Sequence, residues 1–133
     1  MSEHPNARLV KSFFAAQAAG DLDALVEILS EDIIWPLPRG ETRLSLDRTV
    51  VGLAVLTEMG INNFQASNGT FCFNVQKVFS GDEFVSVVSH NTAQTDQRTL
   101  DVQMAIQFRL VENKIVEVWE SVDDMDAFYE FWR

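Results

Sequence analysis

The sequence holds one cysteine, Cys72, among its 133 residues. A lone thiol can neither close an internal disulfide nor build a cysteine-based metal cluster, so a reducing, cytoplasmic setting is expected. Histidine is almost as scarce. His4 and His90 are far apart, and no spacing of His, Cys and carboxylate residues makes a metal set. A Gly-rich phosphate loop, a G-x-S-x-G elbow and a Cys/His nucleophile pair are also missing, so neither a metal nor a nucleotide cofactor is expected. Basic residues are few, ten Lys and Arg against twenty Asp and Glu, and no basic cluster offsets the net charge of −10. Such a chain repels phosphate backbones and anionic membrane surfaces, which excludes nucleic acid and membranes as expected partners. No apolar run approaches the ~18 residues that span a bilayer. The opening "MSEHPNARLVKSFF" also lacks the basic start and apolar run of a secretory signal.

What the chain has in plenty is apolar bulk. Hydrophobic residues make up 47%, with ten Phe and three Trp, enough for a sizeable core and a lined cavity within one domain spanning 1–133. The acidic residues are spread along the chain and read as a solvated surface rather than an acidic tail.

Pro5 suits the first turn of a helix in which Leu9 or Val10, Phe13, Phe14 and Gln17 recur at helical spacing. Gly20 is a stop and Asp21 an N-cap for a second helix, striped by Leu22, Leu25, Val26 and Leu29 and ending near Ser30. A short strand at Ile33 to Trp35 runs into Pro36, Pro38 and Gly40, which force a loop. A third helical segment is expected around "VGLAVLTEMGINNF". From Phe71 the period becomes alternating, clearest from Leu100 to Leu110, with turns at Ser80-Gly81-Asp82, Asp96-Gln97 and Asn113-Lys114. A short aromatic helix capped by Asp123 or Asp124 ends the pattern. Helices first and antiparallel strands last is an α+β order.

Three stretches carry a family likeness: "FFAAQAAGDLDALVEILSEDIIWPLP", "GDEFVSVVSHNTAQTDQRTLD" and "FRLVENKIVEVWE". Together they resemble the nuclear-transport-factor-2-like, or cystatin-like cone, superfamily, and within it the SnoaL-like and ketosteroid-isomerase-like branch. The resemblance implies a cone: a strongly curved, mostly antiparallel sheet packed against N-terminal helices and enclosing an apolar pocket. It further implies a homodimer through the outer sheet face and a small apolar molecule as ligand. Function within that family ranges from isomerases and polyketide cyclases to non-catalytic binding proteins, so the site residues must decide.

A ketosteroid isomerase uses an Asp base, a Tyr and a protonated Asp. The resemblance puts Phe13, Leu37 and Ile106 at those places. None can hold a proton, so ketosteroid isomerisation is not expected. Epoxide-hydrolase chemistry is not supported either, because Arg98 and Asp101 are three apart and face opposite ways on a strand. A polyketide cyclase needs only one acid or base in an apolar cavity. Parity along "IVEVWESVD" places Val118, Glu120 and Val122 on one face, and the carried register turns that face inward. Glu120 is then either a desolvated acid/base or a salt-bridged rim residue. His90, the other proton-carrier candidate, is given to the outer, dimer-facing side, with Ser89, Asn91 and Ala93 inside. Phe13, Gln17, Trp35, Leu37, Met59, Asn91, Met104 and Ile106 make up the expected pocket lining, Gln17 being equally readable as a helix-end polar residue. Two readings stand: a protein that binds a small apolar or aromatic metabolite with cofactor-free acid/base chemistry of cyclase, isomerase or dehydratase type, ketosteroid isomerisation excepted, and a non-catalytic ligand-binding or interaction module.

Overall fold

The computed structural model describes residues 3–36, 49–54, 61 and 64–132. Helix α1, Pro5–Ala19, opens with Pro5 in its first turn and with His4 Nδ1 accepting from the Asn6 amide. It buries Ala7, Val10, Phe13, Phe14 and Ala16, one stripe at three- and four-residue spacing. Gly20 ends it in the left-handed conformation, φ 68°. Asp21 then caps α2, Leu22–Ile28, its carboxylate accepting from the Ala24 amide at 3.1 Å.

The expected short strand is longer and starts earlier. β1 runs Leu29–Pro36, so the chain leaves α2 directly in extended form instead of continuing to Ser30. The reason is tertiary: Leu29 is buried and pairs with Ile115 far along the chain. After β1 come β2 (Thr49–Val51), β3 (Cys72–Ser80), β4 (Phe84–Gln94), β5 (Thr99–Val111) and β6 (Lys114–Val122). Of the expected third helical segment, Leu53, Ala54, Ile61 and Phe64 are helical, Val51 instead ends β2, Gly52 is non-helical with positive φ, and its other residues lie outside those described. The β5–β6 turn is made by Glu112 and Asn113, both with positive φ (50° and 65°), so Lys114 already belongs to β6. The C-terminal helix α3, Met125–Trp132, is capped by Asp124, which accepts from the Ala127 amide; Asp123 instead accepts from the Gln103 amide.

The six strands form one curved sheet in the order β2-β1-β6-β5-β4-β3. All pairings are antiparallel except β1 with β6, which is parallel. Alternation on β4 and β5 is strict. Val85, Val87, Ser89, Asn91 and Ala93, with Leu100 through Leu110 at every second position, are buried against the helices. Phe13 and Phe14 both meet Phe108 at ring separations of 5.7 Å, which joins α1 to the middle of the sheet. No helix among the described residues is long and apolar enough to cross a membrane.

Candidate acid-base site around Glu120

On β6, Val118, Glu120 and Val122 stand opposite Phe108, Ile106 and Met104 of β5. Those three β5 side chains are buried, so strand parity commits Glu120 to the same inward face. The parallel β1–β6 pairing then brings Trp35 alongside. Its indole Nε1 donates to Glu120 Oε1 at 2.6 Å. Trp35 is in turn held by Phe13 of α1, ring centroids 6.1 Å apart. Three elements remote in sequence thus converge on one carboxyl.

The surroundings decide its chemistry. Among the described inward positions of β4, β5 and β6, Glu120 is the one ionisable side chain, and no cation faces it there. Burial pushes its pKa up from 4.5 to about 7, while the Trp35 hydrogen bond pulls the other way. A carboxyl poised near neutrality can give or take a proton at physiological pH. Ile106, at the place the resemblance reserves for the isomerase's protonated acid, lies directly across from Glu120. The interior therefore has a carboxyl, but on β6 rather than β5, and with an indole N–H in place of a phenol as its neighbour.

The remaining expected site residues divide cleanly. Phe13, Trp35, Met104 and Ile106 are buried together in the core. Asn91 is buried too, but its amide is engaged: Ser89 Oγ donates to Asn91 Oδ1 at 2.6 Å, and the amide nitrogen points at Met104 Sδ. Gln17 is half-buried on α1, one turn beyond Phe13. Leu37 and Met59 fall outside the described residues. His90 is set apart from the site, because parity turns it to the outer face, where Nε2 pairs with Asp101 Oδ1 at 2.5 Å. Trp119 also faces outward and is 37% exposed. The Trp35–Glu120 bond itself is not visible in the sequence, since nothing local announces that the first and last strands pair. Two shallow depressions bordered by described residues, one of them about 300 Å³ between Val88, Ala105 and Ser121, lie away from Glu120 and are open to solvent. No group of three His, Cys, Asp or Glu among the described residues is placed to hold a metal ion.

Comparison with known families matches residues 10–118 to the SnoaL-like domain. The chain belongs to the SnoaL-like domain family. Comparison with curated proteins returns no match. Among solved structures, this SnoaL-like chain is similar to Bal32a from a soil-derived mobile gene cassette, with a TM-score of 0.89, 28% identity and 97% of each chain covered. It is also similar to a protein of unknown function with a cystatin-like fold from Xanthomonas campestris (TM-score 0.84, 28% identity, 94% of this chain and 95% of that one). IdmH from Streptomyces antibioticus, a proposed polyketide cyclase, shares the fold at a TM-score of 0.75 and 17% identity over 96% and 99% of the two chains.

Proposed function

We propose that this SnoaL-like protein binds a small, flat, apolar or aromatic metabolite against Phe13, Trp35, Met104 and Ile106, and that Glu120 moves a proton on it without a cofactor. The observation that carries this reading is the Trp35–Glu120 hydrogen bond, made among mostly apolar described side chains, with the carboxyl raised to about 7. In its ionised form Glu120 takes an α-hydrogen from a carbon beside a carbonyl. In its neutral form it returns that proton to oxygen or carbon once the new bond has formed. Proton removal and return balance, so an aldol-type cyclisation or a dehydration needs no co-reactant. The cyclase assigned to IdmH is chemistry of this class. Ketosteroid isomerisation is not proposed, because Phe13 and Ile106 stand where the resemblance puts that enzyme's Tyr and protonated Asp.

2-Tetralone, a flat ketone with acidic α-hydrogens, tests the reading. Hydrogen exchange in D2O, followed by NMR, is expected to run faster with the protein than with buffer, and to rise with pH through about 7. Glu120→Gln is expected to return the rate to the buffer level. Equal rates for the wild type and the variant contradict catalysis. Tetralone binding without exchange favours the second reading, a non-catalytic binding module, for which the apolar identities of Phe13 and Ile106 speak.

The outer sheet face supports a homodimer as part of the same proposal. Phe79, Phe84 and Trp119 are exposed there at 61%, 39% and 37%. Lys77 and Arg109 offset Asp101 and Glu117 on that face, so two copies of a chain of net charge −10 can approach through it.

A further inference from the structure

Gln17 carries a polar atom with no partner. Its Oε1 is shielded from water and accepts no hydrogen bond. The residue follows Phe13 and Phe14 by four and three positions, so it continues their inward stripe on α1. A buried amide oxygen left without a donor forfeits its hydration and gains nothing in return, an arrangement that native interiors seldom keep. The backbone around it is satisfied, for Gly20 and Asp21 return their amides to Gln17 and Ala16. The deficit is confined to the side chain. Phe13, one turn earlier, touches Trp35, and Trp35 holds Glu120. Gln17 follows Phe13 by one helical turn, so its unpaired oxygen lies on the same face of α1 as the ring that reaches Trp35 and, through it, Glu120.

We infer that Gln17 Oε1 accepts a hydrogen bond from a hydroxyl group of the bound metabolite, which makes the ligand a hydroxylated aromatic ketone and Gln17 the residue that selects it. This rests on the interior around Glu120 being the ligand site. Glu120 provides the proton chemistry beside the carbonyl, and Gln17 reads a hydroxyl donor that an unhydroxylated ketone, an ether or a plain hydrocarbon lacks. A site with an unpaired acceptor favours the analogue that brings a donor, because the analogue without one leaves the deficit in place.

Calorimetric titration with 2-naphthol and 2-methoxynaphthalene separates the outcomes. The two probes share a ring system, and only the first has a hydroxyl to donate. The wild type is expected to prefer 2-naphthol by about tenfold. Gln17→Met, which keeps length and helix propensity but removes the amide, is expected to bind both equally, to retain the affinity for the ether, and to melt no lower than the wild type. Glu120→Gln is expected to keep the preference. Loss of discrimination in Glu120→Gln instead assigns the hydroxyl to the carboxyl and overturns the inference while leaving the Glu120 reading intact. No preference in the wild type, an unchanged preference in Gln17→Met, a lower melting temperature of that variant, or no binding of either probe at millimolar concentration overturns it as well.

Discussion

At the residue scale the protein is built around the tension between one carboxyl and its surroundings. Burial favours neutral Glu120, and the indole N–H of Trp35 favours the ionised form, burial being the larger effect. Trp35→Phe keeps most of the ring contact with Phe13 and deletes only the donor. Its expected effect is a Glu120 pKa above the wild-type value of about 7, read by carboxyl NMR. The same shift has a consequence for stability. Between the unfolded value near 4.5 and about 7 the folded chain holds a proton that the unfolded chain has released, so the unfolded state binds fewer protons there. Glu120's contribution is therefore present in full below 4.5 and is lost as pH rises through about 7. The slope reaches about 1.4 kcal/mol per pH unit, and the total is on the order of 3 kcal/mol at most. Glu120→Gln removes this slope. Denaturant melts from pH 4 to 8 are expected to show wild type losing stability relative to the variant as pH rises, and a constant difference contradicts the assignment.

At the element scale the strands and caps were the readable part. The Leu100 to Leu110 alternation follows from period two, whereas the inward side of Glu120 and the outward side of His90 needed the register carried by the family resemblance; β4 and β5 alternate strictly, and β6 does so from Val118 onward after a register shift. Pro5, Gly20 and Asp21 mark helix ends through local chemistry that needs no tertiary partner. The early start of β1 at Leu29 had no such local signal, since only its pairing with Ile115 draws it out of the helix. The partner of Glu120 was illegible for the same reason: Trp35 and Glu120 are 85 residues apart and meet through a parallel pairing that neither sequence neighbourhood encodes. The unpaired oxygen of Gln17 was likewise hidden, because a polar residue in an apolar stripe does not declare which of its atoms is shielded. Where the local signal was plain, its value can be measured. A methyl group added at Gly20 meets nothing within 4 Å, so Gly20→Ala costs only the left-handed backbone. A loss of about 1 kcal/mol is expected in a denaturant melt.

At the scale of the whole molecule, the curved sheet divides the chain's chemistry into two faces. Among the described residues the inner face of β4, β5 and β6 is mostly apolar, with Ser89 and Asn91 buried there and Glu120 as its one titratable group. The outer face is polar, nearly balanced in charge, and exposes three aromatic rings. The proposal of a homodimer through that outer face predicts a dimer mass at micromolar concentration by light scattering. Phe79→Glu and Trp119→Glu together are expected to give a monomer with the same near-neutral titration, because neither residue touches the interior. A wild-type monomer contradicts the dimer and leaves the Glu120 site untouched.

The sheet and helices hold Glu120 as a near-neutral acid among mostly apolar side chains. Carbon-13 labelling of the glutamate side chains and a carboxyl NMR titration of the intact protein, with Glu120→Gln to assign the resonance, test it most directly. This one signal is expected to titrate at about 7. A midpoint at the ordinary 4.5 would contradict it.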